Sequence, residues 1–97
     1  MTDAQLEEYW PDLGIVVVEL RRTERAAVAD QLVDAVRAGA TSGEILEGIG
    51  VVLREHRALR SRLDNSAASA WDAVMADVRR AYPGSKFGHW LARLTKP

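Results

Sequence analysis

The chain contains no cysteine, which excludes disulfides, zinc–thiolate sites and thiol chemistry together. No wholly apolar run is longer than Ile15 to Val18, far short of the roughly 20 residues that a membrane-crossing helix needs. Neither sign of charge is in excess, since 13 Lys+Arg against 14 Asp+Glu leave −1. A chain so balanced carries no overall electrostatic footprint for a polyanion or an acidic membrane surface. Histidine is scarce: His56 and His89 stand alone, without the clustered ligand spacing of a zinc site or an EF-hand. Gly84-Ser85-Lys86-Phe87-Gly88 holds glycine, serine and lysine in the wrong order for a phosphate loop. No serine sits in a strand-to-helix elbow. These absences predict a protein that is not an enzyme and uses neither cofactor nor metal. The opening Met1 to Glu8 is acidic and polar where a signal peptide is basic and then apolar, so a cytoplasmic location is expected.

What is present is helical pattern. With 47% hydrophobic and 28% charged residues, the composition is that of a soluble globular domain, and we expect one domain over residues 1–97. The clearest helix is Gly43 to Leu59, where Ile45, Ile49, Val52, His56, Leu59 and Leu63 recur at steps of four and three and form one seam. It is predicted to run to about Leu63. Thr41 and Glu44 form a capping box at its start, and Thr2 with Gln5 forms another for a short helix carrying Leu6, Tyr9 and Trp10. Pro11 ends that helix or begins the next.

Leu13 to Leu20 includes four β-branched residues in a row, which ordinarily mark a buried strand. No second stretch alternates or clusters such residues, so a strand here has no partner within the chain, and helix is predicted by elimination. Arg21 to Arg25 is a short break or the surface of a continuing helix. Val28, Leu32, Ala35 and Val36 define a helical face up to Ala38. Gly39 to Gly43 is the firmest turn. Asp64-Asn65-Ser66 offers a new N-cap, and Trp71, Val74, Met75, Val78 and Tyr82 mark a helix stopped by Pro83-Gly84. Phe87, Trp90, Leu91 and Leu94 repeat the spacing in a last segment. The predicted fold is all-α, a compact bundle of four to five helices, with the central helix packed on both the 24–38 and the 66–82 helices.

Charge is unevenly placed along this fold. Residues 1–53 hold four arginines against ten acids, a balance of −6, while residues 54–97 hold nine Lys+Arg against four acids, +5. The asymmetry either draws the halves together on folding or leaves an acidic and a basic face. Arg54, Arg57, Arg60 and Arg62 lie close together, and Glu44 to Val51 has the look of the first helix and turn of a helix-turn-helix motif. His56 stands where such a motif anchors its recognition helix with an apolar residue, and Val52 stands where it has a Ser or Thr cap. A small nucleic-acid-binding regulator using Arg54, Arg57 and Arg60 is therefore the alternative, with a solvated basic face favoured over it.

Two glycines interrupt the central helix. Gly48 borders the seam, where a neighbouring backbone can come close, and Gly50 falls on the far side, where nothing calls for it. His56 is expected to be buried and structural, its imidazole bonded to a backbone carbonyl or a carboxylate. Projection of the helix places Glu47, Val51 and Arg54 opposite the apolar arc. An exposed valine between an acid and an arginine has the anatomy of a small contact surface, an apolar centre with a polar rim. Glu47, Val51 and Arg54 are thus the predicted partner-binding residues, and the partner is another protein.

Residues 31–56 and 66–87 resemble the small helical immunity proteins of colicin and pyocin nucleases. The resemblance is carried by Leu32-Val33 with Val36, by Thr41-Ser42-Gly43-Glu44 opening a second helix, and by Ser66, Val74, Arg79, Gly84 and Phe87 in a final helix and its exit. In that family an acidic second helix and a Tyr-Tyr-Pro segment bind and block the toxin. Here Leu59 to Asn65 stand in place of Tyr-Tyr-Pro, the second helix turns basic after Leu53, and the first twenty-two residues have no counterpart. The resemblance implies a small helical cytoplasmic protein that neutralises a toxin by binding it.

Overall fold

A computed structural model describes residues 1–81. Helix α1 (Asp3–Tyr9) is followed by α2 (Pro11–Arg22), α3 (Ala26–Ala38), α4 (Ser42–Glu55), a 3-10 helix (Arg57–Arg62) and α5 (Asn65–Ala81). The all-α class holds, and no strand occurs among the described residues. Five α-helices and one 3-10 helix already exceed the four to five elements expected. The expectations for Tyr82, Pro83-Gly84 and the segment from Ser85 lie outside the described residues.

Local chemistry sets the starts of these helices. Thr2 and Gln5 make the complete capping box, the Gln5 amide donating to Thr2 Oγ1 at 3.1 Å and the Thr2 amide to Gln5 Oε1 at 2.8 Å. Pro11 opens α2, where its missing N–H is not needed. Thr41 caps α4 by accepting from the Glu44 amide at 3.2 Å, but the Glu44 carboxylate takes the amide of Ala40, at 2.8 Å, instead of Thr41's own. Asp64 caps α5, its Oδ1 accepting from the Ala67 amide at 2.8 Å.

The run Ile15 to Val18 is helix. Val16 and Val17 face inward with no exposed surface, while Ile15 and Val18 are 38% and 41% exposed. A helix can bury two of the four because they sit on one side, and tertiary packing overrides the strand propensity. Helix α2 occupies the middle of the molecule, touching α1, α3 and α5, whereas α4 touches α3 and α5. The core is Leu6, Leu13, Val16, Val17, Leu20, Leu32, Ile49, Leu53, Val74 and Val78, all essentially without exposure. Arg21 ties three helices together, donating from Nε to Asp3 at 2.6 Å and from Nη1 to Asp30 at 2.9 Å. Asp3 first, and then Asp30, hold its guanidinium in the charged form.

Helix α4 does not run to Leu63. It ends at Glu55, and the chain continues as the 3-10 helix after His56. Turn and glycine behave as close-packing features. A Cβ on Gly39 would come within 2.9 Å of the Ile45 amide nitrogen, and one on Gly48 within 3.2 Å of the Ala35 Cβ of α3. Gly48 therefore lets α3 approach, as its place on the seam implied. Gly50, expected on the far side, is buried.

Candidate functional site

Along α4 only Ser42, Glu44, Arg54 and Glu55 are exposed. A helix flanked by α3 on one side and α5 on the other covers more of its circumference than a single apolar seam implies. Glu47, Val51 and Arg54 share one side of α4 at i, i+4 and i+7. Of the three, Arg54 is exposed, but Glu47 and Val51 are half-buried, so the expected exposed valine is corrected. The open part of this side lies at its C-terminal end.

That end is built by a change of backbone. The His56 amide closes α4 on the Val52 carbonyl at 3.1 Å, and its Nε2 lies 3.0 Å from Gln31 Oε1 of α3. His56 is half-buried and paired with a side-chain amide, in place of the buried imidazole on a carbonyl or carboxylate that its place in the seam predicted. The 3-10 helix then turns Arg57 and Arg60 toward α5. Arg60 donates Nε to Asp72 Oδ1 at 2.7 Å and Nη2 to Asp72 Oδ2 at 2.6 Å. This fork lowers the Asp72 carboxyl below its ordinary range and raises the Arg60 guanidinium.

Between the end of α4, the 3-10 helix and α5 lies a groove of about 240 Å³. Leu53, Trp71 and Met75 form its apolar floor, and Arg54, Arg57 and Arg79 stand with the Arg60–Asp72 pair around it. Arg54, Arg57 and Arg79 form no ion pair among the described residues, although Arg79 is near enough to Asp72 to help hold its carboxyl ionised. Arg79 was not among the residues singled out for binding. Its spacing from Asp72 and Met75, seven and four positions, puts all three on one face of α5, a signal present in the sequence. Arg62, by contrast, joins Arg25 at a different hollow beside Leu20 and Leu59, so the run of four arginines is divided.

Two electrostatic expectations resolve here. Helix α4 passes unbroken through Gly48 and Gly50, which leaves no turn for a helix-turn-helix there. The ion pairs Arg21–Asp3, Arg21–Asp30 and Arg22–Glu19 lie within the acidic half, and Arg60–Asp72 and Arg80–Asp77 within the basic half. Among the described residues only Arg22 and Asp64, 3.9 Å apart, cross between them. The ion pairs therefore form largely within each half of the sequence and do little to draw the two together.

A larger hollow, of about 290 Å³, is lined by Tyr9, Trp10, Ser42, Ile45, Leu46 and Asp77. Its one carboxylate, Asp77, is already paired with Arg80. No group of three or more metal-ligating side chains converges among the described residues, and no helix there is long and apolar enough to cross a membrane. No protein-family model, curated protein or solved structure matches the chain.

Proposed function

We propose that this chain is a protein-binding module that meets its partner through the C-terminal end of α4 and the adjoining face of α5. The observation that supports this reading is the convergence of Arg54, Arg57 and Arg79, none of them in an ion pair among the described residues, on one apolar-floored groove whose single carboxylate is Asp72. An apolar centre ringed by arginines is the composition of a protein interface, where arginine is enriched and hot spots sit beside desolvated apolar groups. Glu47 and Val51 extend the contact along α4, with Arg54 shared between the helix side and the groove.

The sharpest form of the proposal is an immunity protein that neutralises a bacterial toxin, and its support is the resemblance in residues 31–56 and 66–87. That family presents acids to its toxin, whereas the face proposed here is basic, so a toxin met by this surface would present carboxylates.

The test is capture from an extract of the source cells with immobilised wild-type protein and with Arg54→Glu. Arg54 is the cleaner probe than Val51, because a charge at half-buried Val51 would also disturb folding. The expected result is a specific protein, lost with the variant, whose reconstituted binding weakens at least tenfold, about 1.4 kcal/mol. No reproducible protein partner, together with duplex DNA binding that falls steeply with salt, would overturn the proposal in favour of a regulator using Arg54, Arg57 and Arg60.

A further inference from the structure

We infer that the groove walled by Arg54, Arg57 and Arg79 takes an acidic peptide segment of the partner, anchored by one apolar side chain against half-buried Met75, with Leu53 and Trp71 beneath it. This rests on the protein-binding reading and narrows it to a ligand class. Charge comes first. With Arg60 neutralised by Asp72, three arginines face the groove. The sequence beyond Ala81 contains Lys86, Arg93 and Lys96 but no Asp or Glu, so it holds no side-chain carboxylate to satisfy them. Four arginines against one carboxylate, Asp72, leave the lining of the groove net positive, and carboxylates of a partner would complement it.

Size and floor then define that molecule. At about 240 Å³ the groove is smaller than the roughly 300–1,000 Å³ of small-molecule sites, so it suits one anchoring side chain of a longer ligand. A phosphate backbone offers nothing to an apolar floor. Trp71 is only 3% exposed and has no free ring face on which a base could stack. Separate carboxylates on either side of an apolar anchor suit the planar guanidinium forks of Arg54, Arg57 and Arg79. The bidentate Arg60–Asp72 pair also fixes the 3-10 helix to α5, which holds the walls in place before the ligand arrives.

The test titrates the full chain with a short synthetic peptide of glutamates around a central leucine. Its glutamine counterpart, a glutamate peptide without the leucine, and a duplex oligonucleotide serve as comparisons. The acidic leucine peptide should bind, both altered peptides at least tenfold more weakly, and the affinity should decline with salt. Arg57→Glu and Arg79→Glu, each exposed, should weaken binding at least tenfold with unchanged thermal melting, and Arg62→Glu, at the other hollow, should not. Equal binding of the glutamine peptide, tighter binding of the duplex, or an Arg62→Glu effect as large as Arg57→Glu would overturn the inference. If no peptide binds while the captured partner is still lost with Arg54→Glu, the acidic-segment inference fails and the protein-binding reading stands. If both are negative, both fall.

Discussion

Glu24 adopts φ 63, a left-handed conformation that costs an L-residue about 1–2 kcal/mol and glycine almost nothing. It does so because α2 ends in a Schellman turn, the Arg25 amide donating to the Leu20 carbonyl at 2.7 Å and the Glu24 amide to Arg21 at 3.3 Å. Sequence reading left Arg21 to Arg25 open between a break and a continuing helix, because the residue that announces such an end is glycine and here it is glutamate. Glu24→Gly should relieve the strain and give back part of it to the greater freedom of the unfolded chain, roughly 0.5–1 kcal/mol. The net expectation is a stabilisation of about 0.5–1 kcal/mol in urea unfolding, and a loss of stability would show that Glu24 makes compensating contacts. Val51 was misjudged for a different reason. A projection of α4 locates its apolar arc but carries no information about how many neighbours close around it.

At the scale of elements, the capped starts were legible, as was the end of α3 at Ala38 before Gly39, but the end of α4 was not. Thr2, Thr41 and Asp64 are capping residues whose partners lie three positions away, so the sequence contains both members of each bond. The end of α4 lacks that advantage. No glycine or proline stands between Glu55 and Arg57, and the four-and-three spacing of Val52, His56, Leu59 and Leu63 continues across the junction as though α4 did. What holds that region to α2 is Glu19, a carboxylate only 6% exposed. It accepts from Arg22 Nε at 2.6 Å and from the Asp64 amide, at the cap of α5, at 3.4 Å. Glu19→Ala should cost about 2 kcal/mol, since hydrogen bonds to charged groups contribute about 1.5–3 kcal/mol, and Glu19→Gln, which keeps an acceptor, should cost less. Denaturant unfolding of the two variants checks the order. An alanine variant within 0.5 kcal/mol of wild type, the ordinary surface range, would mean that Glu19 does not hold this junction.

For the whole molecule, the clearest helix in the sequence is not the one at the centre. Helix α4 stands out by its single apolar stripe, and such a stripe marks a helix with one solvated side. Helix α2 is the one that packs on α1, α3 and α5, burying Leu13, Val16, Val17 and Leu20 at helical spacing, while the exposed Ile15 and Val18 between them hide that periodicity in the sequence. A cavity there should then be felt by the whole fold. Leu13 is fully buried, and Leu13→Ala should cost about 2–5 kcal/mol, a large share of the roughly 5–15 kcal/mol that a small domain has. In a chain of this size each kcal/mol shifts Tm by about 4–8 °C, so the melting point should fall by at least roughly 8 °C. Because α2 joins three other helices, circular dichroism and tryptophan fluorescence should report the same single transition. A small shift would remove α2 from the centre of the energetics, and two separate transitions would show that the helices around it unfold independently.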